Sequence, residues 1–305
     1  MNRLLLYIMT LVTLLVFSGC GQSYEQKQAL TRKQHRETAR RDSAALKIAT
    51  TPTMDCLPLF IAMEDSLFQK GGVDVHLRTR KSQLDGDTLI AGAHVEGFVT
   101  DLIRAERLRK SGIALRYVAA TNSYWQFITN RLARVKELKQ MSDKMVAITR
   151  YSATDYLAGL AIDSVKPKFD VYRVQINDVD IRLKMLLNNE MDASLLTEPQ
   201  ATSARLFKHI VLMDSRDKDI RLGVLAFREK ALKDKNRQAQ LDSFVKVYNQ
   251  ICDSINKYGV VHYHGIIKKY MHVDDRTIKA LPKLQFQHAV PPRKKDVARA
   301  KRYWN

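Results

Sequence analysis

Four short stretches of the chain gather hydroxyls, acids and small residues: "TTPTMDCLP" from Thr50 to Pro58, "VTD" ending at Asp101, "TRYSATD" from Thr149 to Asp155, and "LLTEP" from Leu195 to Pro199. Such residues suit noncovalent capture. Hydroxyls and backbone N–H groups at helix starts hold oxyanions, and carboxylates hold amines. The candidate ligand-binding residues are therefore Thr51, Thr53, Asp55, Cys56, Thr100, Asp101, Ser152, Ala153, Thr154, Asp155, Thr197 and Glu198. Signatures of catalysis are missing from the sequence. It has no Walker-type glycine loop and no GxSxG elbow. His94 in "HVE" has no "PCxxC" partner for a deaminase zinc site. His262 and His264 lie two apart, a spacing that does not share a helix face. No catalytic residue, metal ligand or cofactor is expected.

Each position also has a plainer role. Thr154 or Asp155 can cap a helix. Glu198 before Pro199 is a good first-turn acid. Thr50 and Thr100 fit ordinary strands, and Cys56 fits a packed core. The case for a site rests on the four stretches together.

Periodicity indicates the elements that must position them. "KIATT", "VDVHLRT", "GFVT", "LRYVAAT", "KMVAIT", "YRVQIND" and "ASLLT" read as strands, the second by strict alternation. Helical segments lie between them. Leu57 to Phe68 is closed by Gly71 or Gly72, and Asp87 can cap a helix running to about Ala93. "DLIRAERLRK", "RYSATDYLAGLAID" and "DIRLKMLLNNE" follow, and further helices begin at about Glu229. This alternation predicts an α/β fold with mostly parallel sheets. The two halves echo each other, each with a strand ending in threonine, a polar loop and a helix. Ligands of open α/β sheets bind beyond the carboxyl ends of strands, and all four stretches fall at such ends. Two similar lobes would set Thr51 to Cys56, Thr100 and Asp101 against Ser152 to Asp155, Thr197 and Glu198. Hinge closure would then bury a ligand between the walls.

The N-terminus carries an export signal: Arg3, an apolar run from Leu4 to Phe17, then small residues before Cys20. The run is short for a bilayer-spanning helix. Cys20 after "FSG" resembles a bacterial lipoprotein processing site, which implies lipid on Cys20 and a chain anchored to a membrane. Residues 1–20 read as the lipoprotein signal peptide, and 21–45 as a polar tether of partly helical character. The formal charge is +19, from 51 Lys and Arg against 32 Asp and Glu, and part of it lies near the two ends. For an exported chain this suits solvated faces near anionic lipid better than nucleic acid. Export also permits a disulfide between Cys56 and Cys252.

Taken in order, "TTPTMDCLPLFIAMEDSLFQKGGVDVHL", "LIAGAHVEGFVTDL", "YSATDYLAGLA" and "LLNNEMDASLLTEPQATSA" resemble a type-2 periplasmic substrate-binding protein of ABC importers. The nearest branch is the nitrate, sulfonate, taurine and thiamine-precursor group. Order and spacing carry the likeness over about Leu46 to Phe286; no single motif does. The resemblance implies two lobes with helices on both faces of each sheet, joined by two hinge crossings. Lobe 1 is then 46–123 plus 225–305, and lobe 2 is 124–224. Asn122, Tyr124 and Trp125 fall at the cleft. The implied role is an extracytoplasmic, lipid-anchored, monomeric receptor for a small-molecule solute, with an ABC permease and ATPase as partners. The alternatives are an enzyme on the same fold making a vitamin or quinone precursor, and a sensory or scaffold lipoprotein. Inward-pointing Asp55, Asp101, Asp155 and Glu198, with Tyr124 and Trp125, would favour an amine-bearing or heterocyclic solute such as a thiamine precursor. Arg80, Arg104 and Arg150 would instead favour a sulfonate-like anion.

Overall fold

The computed structural model describes residues 24–305, and the expected signal segment with Cys20 lies outside the described residues. The chain divides after Ala44. Before that point, Tyr24–Ala44 is one continuous helix, α1, within the stretch read as a partly helical tether. Its composition explains this, since Gln, Lys, Arg and Ala are strong helix formers and no Gly or Pro interrupts them. Glu25 in the first turn and Arg41 in the last suit the helix dipole. Among the described residues, no helix is long and apolar enough to cross a membrane.

The second unit begins with β1 (Leu46–Thr50), a 3₁₀ turn, α2 (Leu57–Glu64), α3 (Leu67–Lys70), β2 (Val75–Thr79), α4 (Gln83–Ala91), β3 (Gly97–Asp101), α5 (Leu102–Lys110) and β4 (Leu115–Ala120). It continues with β5 (Gln126–Thr129), β6 (Met145–Ile148), α6 (Ala153–Val165), β7 (Tyr172–Gln175), α7 (Val179–Leu187), β8 (Ala193–Leu196), α8 (Gln200–Leu206) and β9 (Ile210–Asp214). Last come β10 (Gly223–Arg228), α9 (Glu229–Leu232), α10 (Lys235–Tyr258), α11 (His264–Met271), α12 (Asp275–Lys279) and α13 (Lys294–Tyr303). Helix starts follow local chemistry. Ser152 caps α6 by accepting from Thr154 N at 3.1 Å, and Asp101 caps α5 by accepting from Arg104 N at 3.0 Å. Ser82, not Asp87, caps α4, accepting from Leu84 N at 3.0 Å. Asp87 lies inside that helix, buried, and pairs with the fully buried Arg104.

One sheet has the strand order β2-β1-β3-β10-β4 and the other β7-β6-β8-β5-β9. The patterns are equivalent. Strands β1, β2 and β3 pair in parallel, as do β6, β7 and β8. Each sheet also admits one antiparallel strand, β10 or β5. Those are the first strands after the chain passes from one sheet to the other, so each passage is pinned into the sheet it enters. The passages run side by side, with Thr121 N donating to Gly223 O at 3.0 Å. A Cβ on Gly223 would lie 2.7 Å from Cβ of Ser123, so this approach requires glycine.

The largest core packs β1 and β2 against α2 and α10. Along α10, Leu241, Phe244, Val247, Tyr248, Ile251, Cys252 and Ile255 are buried at helical spacing. Phe244 stacks on Phe68 at 5.3 Å and meets Phe227 edge-on at 5.9 Å. Cys56 and Cys252 lie in this core as free thiols, so the disulfide that export permits is not formed. A second core runs from one sheet to the other, joining Phe98 and Leu102 to Phe127, Val146 and Leu157. Trp304, after α13, donates its indole N–H to Ile103 O at 2.8 Å, and Tyr303 donates to Asp155 Oδ2 at 3.3 Å.

Candidate ligand-binding site

The carboxyl ends of β1, β2, β6, β7 and β8 converge on a cavity of about 30 Å³. A single water needs roughly 10–15 Å³ measured the same way, so there is room for a group of a few heavy atoms. After β1 come Thr51 and Thr53; after β2, Lys81 and Gln83; after β6, Thr149, Ser152 and Thr154; after β7, Asn177, Val179 and Arg182; and after β8, Thr197. Trp125, just before β5, completes the lining.

Hydroxyls dominate, and they are ordered by one another. Thr51 and Thr53 are hydrogen-bonded through their Oγ1 atoms at 3.0 Å. Ser152 donates to Thr149 O at 2.6 Å, and Thr149 N donates to Thr154 Oγ1 at 2.8 Å. This network holds the N-terminal turn of α6 with its hydroxyls toward the cavity. Arg182 is the charged group among them. It lies within the first turns of α7, almost completely buried, and Nη1 donates to Thr154 Oγ1 at 3.5 Å. Its Nε has no hydrogen-bond partner among the described residues. Burial lowers the guanidinium to about 10, with only Asp178 opposing that shift, so it remains charged at neutral pH. Lys81 adds a second cation at the rim, and no carboxylate lines the cavity.

The acids expected to face a ligand are engaged elsewhere. Asp55 accepts from Thr53 at 2.6 Å and from Thr121 at 3.3 Å. Asp155 is paired with Arg173 at 2.8 Å and accepts from Tyr151 N at 2.8 Å. Glu198 is paired with Arg205 at 2.7 Å, and accepts from Tyr124 and from Thr202, each at 2.6 Å. Asp101 caps α5 in full burial. That burial pushes its carboxyl up to about 6, against the pull of Arg104 and the backbone N–H groups of Arg104 and Ala153. Cys56 is packed in the core, where burial raises its thiol further above the ordinary range. Thr100 and Ala153 are also buried outside the lining, and Asn122 and Tyr124 lie on a different cavity. Thus Thr51, Thr53, Trp125, Ser152, Thr154 and Thr197 come together as expected. Asp55, Cys56, Thr100, Asp101, Asn122, Tyr124, Ala153, Asp155 and Glu198 do not line the cavity.

The charge balance of the lining, two cations and no carboxylate, differs from the acid-rich wall expected for an amine ligand. Arg80 and Arg150 are exposed and do not line the cavity, while Arg104 is taken up by Asp87 and by the Arg150 carbonyl. The buried cation of the lining, Arg182, sits inside "DIRLKMLLNNE", where it reads as an ordinary polar helix residue. One signal pointed there: "YRVQIND" and "VDVHLRT" are also strands whose carboxyl ends lead to helices.

The cleft is closed by contacts between elements of the two sheets. Met54 N donates to Glu198 O at 3.0 Å, and Gln200 Nε2 donates to Pro52 O at 3.2 Å. The Ser203 and Thr277 hydroxyls are 2.8 Å apart. Among the described residues, no group of three or more His, Cys, Asp or Glu could hold a metal ion.

No protein-family model matches the chain, and no curated protein matches it in sequence. Solved structures do match in fold. The periplasmic aliphatic sulphonate binding protein SsuA from Escherichia coli is similar at 14% identity and a TM-score of 0.67, over 85% of this chain and 90% of that one. The alkanesulfonate-binding protein SsuA from Xanthomonas axonopodis, bound to MOPS, is similar at 12% identity and 0.69, over 86% and 91%. The periplasmic nitrate-binding protein NrtA from Synechocystis is similar at 12% identity and 0.66, over 82% and 74%. The fold is that of the type-2 periplasmic binding proteins.

Proposed function

We propose that this protein is an exported, lipid-anchored receptor that closes two lobes around a small anionic solute and delivers it to an ABC importer. Lobe 1 is taken as 46–123 plus 225–305 and lobe 2 as 124–224. One observation carries the reading: Arg182 is a buried guanidinium with an unpartnered edge, in a cavity lined by hydroxyls and by no carboxylate. A buried charge with no direct ion pair is costly, and an anionic ligand supplies such a partner with charge-assisted hydrogen bonds. The lining contains no His, Cys, Asp or Glu, the usual general acids and bases, which supports capture over turnover. The fold-level likeness to sulfonate- and nitrate-binding proteins agrees with an anionic ligand. Arg182 Nε and the Thr197 hydroxyl donate hydrogen bonds to that ligand; Thr51, Thr53, Ser152 and Thr154, whose protons are given to neighbouring protein groups, form the polar wall, and Trp125 supplies an apolar one.

Thermal melting against a ligand panel tests this. Nitrate, sulfate, short alkanesulfonates and small carboxylates should include at least one compound that raises the melting temperature. Ligand at a hundred times its Kd adds about 2.7 kcal/mol. Stabilisation by an amine or pyrimidine alone would overturn the anionic reading, and conversion of any ligand to product would make the protein an enzyme. The anchor is tested by Cys20→Ser, which should move the protein from the membrane to the soluble fraction. Retention on membranes would refute lipidation at Cys20.

A further inference from the structure

A second cavity, of about 340 Å³, opens where the two passages between the sheets meet the segment leading to α13. Its volume lies in the range of small-molecule sites. Tyr124 comes from the first passage, Arg216 and Arg221 from the second, and Lys283 and Arg293 from the C-terminal segment. No carboxylate belongs to the lining. Two of the cations are already paired: Arg216 with Asp214 at 2.7 Å, and Arg293 with Asp219 at 2.5 Å and Asp296 at 2.6 Å. The side chains of Arg221 and Lys283 form no ion pair among the described residues. The side-chain amide nitrogen of Asn122, also in the lining, is buried without an acceptor. Leu284, Val290 and Pro291 give the cavity an apolar side.

We infer that this hinge cavity is a second binding site, for a multivalent organic or phosphate-type anion of metabolite size, and that its occupation favours the closed lobes. Arg221, Lys283 and the Asn122 amide supply the contacts, and the apolar side accepts a carbon skeleton. The coupling is physical. Arg216 lies over the Tyr124 ring at 3.7 Å from its centre, and the Tyr124 hydroxyl donates to Glu198 at 2.6 Å. The Glu198 carbonyl accepts from Met54 N across the cleft at 3.0 Å. Both passages wall the cavity, so hinge rotation changes its shape. A ligand fitting the closed form must then shift the equilibrium toward closure. The second site is independent of which solute occupies the first cavity.

Calorimetric titration of the full chain in detergent at physiological salt tests it, with citrate and pyrophosphate as probes. Three proteins are compared: wild type, Arg182→Met, and Arg221→Ala/Lys283→Ala. At least one probe should bind Arg182→Met within threefold of wild type, and tenfold or more weaker to the double variant. Arg221 and Lys283 are exposed, so the double variant should keep the wild-type melting temperature. Should it not, Arg221→Gln/Lys283→Gln preserves side-chain bulk and must show the same loss. Failure of both probes to bind Arg182→Met, or unchanged binding to the charge-removed variant, overturns the inference. Loss of anion binding in Arg182→Met alone would leave the first cavity as the only anion site.

Discussion

Arg182 and Asp101 are both buried ionisable residues with different consequences. Arg182 carries a desolvation cost that nothing in its own surroundings fully offsets. Replacing it by a hydrophobic side chain of similar length should therefore stabilise the empty protein while removing its function. The Arg182→Met protein is expected to unfold at higher denaturant than wild type, by about 1–4 kcal/mol. A destabilised variant would mean that Arg182 is already satisfied. Asp101 has a carboxyl at about 6 in the fold, against about 3.9 in an unfolded chain. The native state thus holds the proton more tightly. Its contribution to stability falls as pH rises from about 4 to about 6 and is constant above that. Asp101→Asn keeps the helix cap and removes this titration. Its stability relative to wild type should rise by on the order of 2 kcal/mol between pH 4 and 7, measured by chemical denaturation at each pH. A constant difference across that range would show that Asp101 is not strained. Thr51, Thr53, Ser152, Thr154 and Thr197 could be singled out from their places in the echoed strand-end loops, whereas Thr149, which also lines the cavity, was not. The acids misled because a carboxylate in such a loop serves equally well as a cap or an ion-pair partner, and sequence does not show which way it turns.

The strand-to-helix loops do the positioning. Thr51, Thr149 and Thr197 each directly follow a strand, so parallel pairing sets their direction as much as their own chemistry does. This part was visible from alternation and from the echo between "KIATTPT" and "VAITRYSAT". The loops after β2 and β7 carry Lys81, Gln83, Asn177 and Arg182 to the same cavity, yet nothing in their local composition marks them. Their importance comes from sheet order, which a single sequence does not state. Two packing positions hold these elements in place. Phe244 on α10 is fully buried between Phe68 and Phe227, so Phe244→Ala should destabilise by about 3–5 kcal/mol, read from equilibrium denaturation. A loss under 1 kcal/mol would mean that the α10 interface relaxes to fill the space. Gly223 sits where the two passages touch, and Gly223→Ala forces its Cβ toward Thr121 and Ser123. Overpacking of this kind costs about 1–3 kcal/mol, and at this position it should also weaken solute binding by disturbing the hinge. A Gly223→Ala protein that binds solute as tightly as wild type would show that the passages can separate without affecting closure.

At the scale of the whole molecule, the same sheet pattern occurs twice, with one strand of each sheet arriving from the other half of the chain. Such a body can open and close about its two passages while each sheet stays rigid. The interlobe hydrogen bonds of Met54 and Gln200 describe the closed arrangement. The α/β class and the paired lobes were readable from the strand–helix rhythm. The charge inside the cleft was not, because a net charge of +19 spread over 305 residues does not reveal which cation is buried. The proposed anion capture in the cleft rests on that cation. Its most direct test is calorimetric titration of wild type and Arg182→Met with whichever anion stabilises wild type in the melting panel. One-to-one binding by wild type is predicted, with at least a hundredfold loss in Arg182→Met, about 2.7 kcal/mol. Undiminished anion binding by a folded Arg182→Met protein would contradict it.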